Sequence, residues 1–198
     1  QQLGIPLIHI STDYVFSGRK NGSYTETDQP DPINAYGSTK LQGEQHVQAN
    51  CDKSIILRTS WVFSEYGNNF VITMLKLAEQ HAALSIVNDQ WGCPTYAGSI
   101  AETAFNILEA DLDSEKKYGI YNVTNSGRCN WLQFASEIFS QAESLGICSQ
   151  PKLSGIASDQ YPTTAERPKN SELNCDKLQR FLALPLPWKT TLKQALIN

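Results

Sequence analysis

Gly4-Ile5-Pro6-Leu7-Ile8-His9-Ile10-Ser11-Thr12-Asp13 is a mostly apolar run that ends in three small polar residues. A near-continuous apolar run of strand length reads as a β-strand buried on both faces, the habit of a parallel sheet. Its polar end, Ser11-Thr12-Asp13, then stands just past the carboxyl end of that strand, where open α/β sheets gather their ligands.

Working outward, the pattern alternates. Residues 17–32 form a polar loop broken by Gly18, Gly22, Pro30 and Pro32. Residues 33–50 carry Tyr36, Lys40, Leu41, Glu44 and Val47 at helical spacing, after prolines that suit a helix start. Residues 54–59 read as a second buried strand, 70–81 as a helix with Phe70, Met74, Leu77 and Ala78 on one face, and 84–87 as a short third strand. A helix over 97–110, a strand over 118–123 and a helix over 130–145 follow, with Asn130 as cap and Gly146 where a C-terminal cap belongs. This alternation implies an α/β protein with parallel pairing. From about Gln150 onward Pro151, Pro162, Pro168, Pro185 and Pro187 break the text into short pieces. Residues 1–150 are therefore expected to form the α/β body, with segments of a smaller lobe interleaved, and 151–198 mainly that smaller lobe.

The 198 residues carry 16 basic against 20 acidic side chains, a formal net charge of -4, which gives no general attraction to nucleic acid or to an anionic membrane surface. No apolar run approaches the roughly 20 residues of a transmembrane helix, so a soluble protein is expected. The five cysteines are scattered and form no C-x-x-C pair, which supports neither a disulfide framework nor a zinc cluster and fits a reducing cytoplasm. No cluster has metal-ligand spacing, so no metal is expected. The 12 glycines include no two that stand two or three residues apart, so there is no G-x-G-x-x-G turn and no phosphate-cradling loop.

Tyr36 and Lys40 lie four apart on one helical face. Taken alone the pair is weak, because eight tyrosines in 198 residues meet a lysine at this spacing by chance about as often as not. Its context is stronger: a hydroxyl (Thr12), a phenol and an ammonium gathered at a strand's carboxyl end suit the reduction of a carbonyl. The ammonium favours the phenolate and so brings the phenol nearer its operating pH, while Thr12 polarises the carbonyl oxygen. The hydride has to come from a cofactor. His9 reads as a satisfied core histidine, Trp91 and Tyr96 as packing, and the helix carboxylates as surface charge.

Ile10-Ser11-Thr12-Asp13-Tyr14-Val15-Phe16-Ser17-Gly18 is followed by P-x-x-x-Y-G-S-T-K-L-x-G-E from Pro32 to Glu44 and R-T-S-W-V-F from Arg58 to Phe63. Then come G-N-N-F from Gly67, D-Q-W-G-C-P-T from Asp89 and E-R-P-K-N-S-E-L from Glu166. In these motifs, which cover nearly the whole chain, the sequence resembles the extended short-chain dehydrogenase/reductase family, and within it the reductases of dTDP-4-keto sugars. The resemblance implies a partial Rossmann-like, doubly wound parallel sheet that lacks its first βαβ units, with a smaller C-terminal substrate lobe. The reaction implied is reduction of the 4-keto group of dTDP-4-dehydro-L-rhamnose to dTDP-L-rhamnose by NADPH (or NADH). Hydride would go to C4, with Tyr36 as proton donor.

Residue by residue, the resemblance implies Thr12, Tyr36 and Lys40 as the catalytic triad. Ser11, Tyr36, Lys40, Thr59 and Ser60 would line the cofactor, and Asp13, Tyr14, Phe16, Trp61, Asn69 and Arg167 the dTDP-sugar. Asn69 has a second reading as the cap of the helix beginning at Phe70, and Arg167 suits a dianionic diphosphate. Family members extend further on the N-terminal side, so the chain corresponds to their C-terminal two-thirds and by itself is expected to bind NADPH weakly; a homodimer is an admissible assembly. Two other functions fit the same motifs: an NAD-dependent nucleotide-sugar epimerase or dehydratase, and a non-catalytic module like the regulatory beta subunit of methionine adenosyltransferase. A dehydratase wants an acidic pair after the triad hydroxyl, and here only Asp13 follows, which favours a reductase. The intact triad favours catalysis.

Overall fold

The computed structural model describes residues 4–110, 117–180, 182–183 and 185–197. In chain order the elements are β1 (Leu7–Thr12), α1 (Ala35–Asn50), β2 (Ser54–Thr59), β3 (Val62–Phe63), α2 (Phe70–Gln80), β4 (Ala83–Val87), β5 (Trp91–Gly92) and β6 (Thr95–Tyr96). There follow α3 (Ala97–Glu109), β7 (Gly119–Asn122), β8 (Cys129–Asn130), α4 (Trp131–Ser144), β9 (Lys152–Ile156), α5 (Asp176–Gln179) and α6 (Trp188–Ile197). The helix starts are chemically explained. Asn34, Asn69 and Asn130 each accept a backbone N–H from the first turn of α1, α2 and α4. At Asn130 the cap is reciprocal, because the Gln133 side chain accepts the Asn130 N–H. Gly146 ends α4 at φ 72°, the left-handed conformation that glycine adopts without strain.

The central sheet is parallel, in the order β1-β2-β7. Leu7 stands opposite Ser54 and Thr12 opposite Thr59, while Ile55 to Arg58 face Gly119 to Asn122. All three carboxyl ends therefore emerge at one edge, which collects Thr12, Thr59 and Asn122. β2 is buried along its whole length, as its sequence predicts. β1 departs from expectation: Leu7 and Ile10 are 42% and 41% exposed. Among the described residues β1 pairs only with β2, which leaves its other long side without a neighbouring strand among them.

β4 joins the smaller lobe. It does not extend the central sheet but pairs in parallel with β9, from Ala83 opposite Lys152 to Val87 opposite Ile156. The Pro-broken tail thus supplies a strand and the ten-residue helix α6. Two larger hydrophobic clusters result. One joins Phe63, Met74, Ile86, Phe134, Phe139, Trp188 and Leu192, from β3, α2, β4, α4 and α6. The other packs Ile55 and Leu57 of the sheet against Ile107 of α3 and Leu178 of α5. Asn122 ties the long polar loop to the sheet by donating to the carbonyls of Tyr24 and Asn174. No described helix is long and apolar enough to cross a membrane.

Candidate active site

Thr12 ends β1 and caps a single 3-10 turn, Asp13–Val15, by accepting the Tyr14 N–H through its hydroxyl oxygen (3.2 Å). α1 lies directly over this turn. Its approach depends on Gly37: a Cβ there would fall 2.1 Å from the Tyr14 carbonyl oxygen. With only a hydrogen on Gly37, the first turn of α1 closes on the strand end. Tyr36 stands edge-on to Tyr14, ring centroids 5.7 Å apart. Lys40, one turn on, donates from Nζ to the Ile10 carbonyl at 2.6 Å. The ammonium thus meets the backbone before Thr12 and the Tyr36 ring meets the Tyr14 side chain after it, so both lie on the strand-end side of α1. Tyr36 is 53% exposed and open to a ligand.

Beneath them the groups are deeply buried. The Thr12 hydroxyl donates to Asp13 Oδ1 at 2.9 Å. Burial pushes the Asp13 carboxyl up to about 6, although hydrogen bonds from Ser171 and Thr12 offset part of the effect. The Tyr14 phenol is raised to about 12 by burial and by the neighbouring Asp13 charge, with Arg167 opposing. His9 is not the satisfied core histidine its strand position suggests: Nε2 is buried without a hydrogen-bond partner, and burial together with the Lys40 charge lowers its pKa.

Glu44 corrects the reading of helix carboxylates as surface charge. It is 1% exposed and accepts two bonds from Arg58, Nε to Oε1 at 2.9 Å and Nη2 to Oε2 at 2.6 Å. The Ser11 hydroxyl also donates to Glu44 Oε1. A signal existed in the sequence, since Glu44 sits on the apolar stripe of its helix beside Leu41 and Arg58 sits inside an apolar strand. A charge in either place demands a partner.

The other proposed contacts divide. Thr59 Oγ1 is buried and unpartnered at the sheet edge. Ser11 and Ser60 have inward side chains, Ser11 on Glu44 and Ser60 donating to the Cys93 carbonyl at 2.8 Å. Phe16 is completely buried, stacked on Tyr24 with the Arg58 guanidinium 5.0 Å from its ring centre, so it supports the site from below and offers no surface to a sugar. Asn69 uses its side chain locally, accepting the Ile72 N–H and donating to the carbonyls of Ser64 and Tyr66, which makes the cap its role.

Trp61 has φ 47°, a left-handed backbone rare for a bulky residue. Its ring lies flat on Trp131, centroids 3.5 Å apart and 7° from parallel, over the Cβ-free Gly92. Trp131 in turn borders a cleft of about 1310 Å³ that Arg167 also lines. The cleft wall carries the further cations Arg19, Lys20, Arg128 and Lys169, and Arg128 lies 4.4 Å from the Trp91 ring centre. The sequence reading passed over Trp131 and Arg128 because nothing in their spacing marks them. No group of three or more His, Cys, Asp and Glu side chains among the described residues could hold a metal ion.

The family model described as RmlD substrate binding domain matches residues 1–198. A dTDP-4-dehydrorhamnose reductase of Escherichia coli (strain K12) is 41% identical over 197 residues, 98% of this chain and 66% of that protein. One from Aggregatibacter actinomycetemcomitans is 45% identical over 190 residues, 94% of this chain and 65% of that protein. A crystal structure of dTDP-4-dehydrorhamnose reductase from Bacillus anthracis in complex with NADP superposes with a TM-score of 0.89 at 37% identity, covering 100% of this chain and 67% of that one. The chain thus spans about 66% of the length of the curated relatives it matches, and the partial Rossmann-like sheet is the fold it shares with them. Matched over its whole length, this chain belongs to the RmlD substrate binding domain family.

Proposed function

We propose that this chain is the catalytic and sugar-binding portion of an NADPH-dependent reductase that converts dTDP-4-dehydro-L-rhamnose to dTDP-L-rhamnose. The observation that carries the reading is the convergence of Tyr36 and Lys40 on the carboxyl end of β1 around Thr12, with Tyr36 exposed and edge-on to Tyr14, whose phenol also feels the charge of the cleft residue Arg167. The relatives named as dTDP-4-dehydrorhamnose reductases and the NADP-bound neighbour support it. In this reading residues 1–150 supply the triad and much of the cleft, and 151–198 complete the sugar lobe. The free thiols of Cys51, Cys93, Cys129, Cys148 and Cys175 suit a reducing cytoplasm.

The residues present fit a nicotinamide ribose. Thr59 offers a buried hydroxyl with no partner, and Lys40 and Tyr36 offer an ammonium and a phenol at the same sheet edge. NADPH, when bound, supplies the hydride. The rest is done by this chain. Arg167 and the other cleft cations hold the diphosphate and so orient the keto sugar. The Thr12 hydroxyl, turned from Asp13 Oδ1 toward the substrate, and the Tyr36 phenol polarise the C4 oxygen, Tyr36 gives it the proton, and Lys40 stabilises the phenolate left behind.

The test uses the protein expressed from its whole reading frame, with dTDP-4-dehydro-L-rhamnose and NADPH. Turnover is expected, and Tyr36→Phe should lower kcat by roughly 100- to 10,000-fold while NADPH affinity stays near wild type. Absence of turnover in the wild type, or a wild-type rate in Tyr36→Phe, would overturn the proposal.

A further inference from the structure

We infer that the buried pair Glu44–Arg58 is a positioning device for the catalytic groups, acting through Lys40 and Thr12; the inference rests on the reductase reading above. Glu44 is one helical turn beyond Lys40. Its carboxylate accepts from Ser11 on β1 and twice from Arg58 on β2, so a single side chain joins the three elements that carry the chemistry. Thr12 is the next residue after Ser11, Tyr36 and Lys40 share the helix with Glu44, and Thr59 and Ser60 follow Arg58. The Arg58 guanidinium is only 2% exposed and has one nitrogen, Nη1, without a partner.

A buried ion pair is a weak source of net stability, because desolvation offsets the attraction. Its orientation is nonetheless strict, since a two-pronged bond between guanidinium and carboxylate fixes both partners in a plane. Fold stability alone would be served as well by apolar side chains of the same size at two such buried positions. What the pair adds is register. A slip of α1 along β1 and β2 by a fraction of a helical turn breaks three hydrogen bonds at once. The same slip moves Lys40 off the Ile10 carbonyl and Tyr36 off the Tyr14 ring.

The pair also sets the electrostatics of the site by being neutral as a unit. The charged and titratable groups around Lys40 and Tyr36 are His9 from β1, which also feels Glu44, and Tyr14 with Asp13 and Arg167 beyond it, while Arg58 is paired to Glu44 one turn past Lys40. Removal of the carboxylate alone leaves an unpaired Arg58 cation beneath α1, which favours phenolate on that helix; removal of the guanidinium alone leaves an unpaired anion, which disfavours it.

The experiment compares Glu44→Gln, Arg58→Gln, the conservative Arg58→Lys and the double Glu44→Met/Arg58→Met in the protein expressed from its whole reading frame. Wild-type turnover is measured first, so that a failure of the reductase reading is seen by itself. The expected result is a fall in kcat of about 10-fold or more with KM changed by less than about threefold, because substrate contacts are untouched while the reacting groups are displaced. The basic limb of the kcat–pH profile should move in opposite directions, to lower pH in Glu44→Gln and to higher pH in Arg58→Gln, by about half a unit or more. Arg58→Lys should recover part of the rate. If either single variant fails to fold, the double variant carries the test, since it leaves no orphan charge: a folded protein with kcat at least about 10-fold down supports the inference. A folded double variant at wild-type kcat, pH limbs that move together or not at all, or loss of the fold in every variant would assign the pair to the fold alone and overturn the inference.

Discussion

Gly37→Ala tests the geometry of the site with one methyl group. The added Cβ would sit 2.1 Å from the Tyr14 carbonyl oxygen and 3.0 Å from the Pro32 Cβ, whereas real Cβ contacts essentially never fall below 3.0 Å. The obstruction on the Tyr14 side is backbone, so relief needs α1 to retreat by about 0.9 Å at its first turn. Tyr36 is the adjacent residue and retreats with it. A misplacement of about 1 Å at a reacting group costs on the order of 100-fold in rate, and forcing a methyl into a filled space costs about 1–3 kcal/mol in stability. Gly43→Ala on the same helix is the control. Its Cβ would meet only the tip of His9 at 3.5 Å, an ordinary contact. It should gain up to about 1 kcal/mol from helix propensity and keep its rate. The assays are NADPH oxidation with the 4-keto sugar and urea unfolding, both on the protein expressed from its whole reading frame. If Gly37→Ala keeps kcat within about threefold, Tyr36 is not held by this contact and the close approach is not what aligns the site.

Asp13 makes stability depend on pH. Its folded value of about 6 lies above the ordinary 3.8, so the folded state holds the proton more tightly. The folded form is therefore penalised as pH rises from about 4 to 6, by about 3 kcal/mol once both states are ionised. Asp13→Asn should be the more stable protein at pH 8, an advantage that fades as pH falls to 4; melts across that range check it, and a constant difference would refute it. Arg167→Ala should raise KM for the dTDP-sugar by about 10-fold or more and leave NADPH affinity unchanged, because the lost group is a cleft cation; an equal loss for both ligands in titrations would contradict that role. Asn130→Ala removes one side of the reciprocal cap of α4 and a bond to the Asn88 carbonyl, so it should cost about 1–2 kcal/mol by urea unfolding with kcat unchanged.

Much of the site could be read from local patterns. The spacing of Tyr36 and Lys40 depends only on the period of one helix, and Thr12 only on the end of one strand. The caps at Asn69 and Asn130 are likewise local, since each is satisfied within the next three residues. Hence the alternation of strands and helices, and the juxtaposition of the three residues proposed as a triad, were legible in the sequence and in the family it resembles. Errors arose where a residue's environment comes from elsewhere in the chain. Leu7 and Ile10 read as fully buried because apolar composition reports what a strand can bury, not what lies against it. Phe16 has the same composition signal as a ligand-facing aromatic, yet Tyr24 and Arg58 enclose it.

The α/β class, the principal helices and the three residues proposed for catalysis are legible locally, because periodicity and capping act within a few residues of one another. Only the tertiary structure decided that β4 leaves the central sheet to pair with β9, 69 positions away in register. It also decided that Glu44 is a buried partner of Arg58 and that Gly37 is the point on which α1 rests. These are contacts between distant segments. Their energies come from desolvation and close packing, which depend on what the fold brings together and leave no periodic trace in the chain.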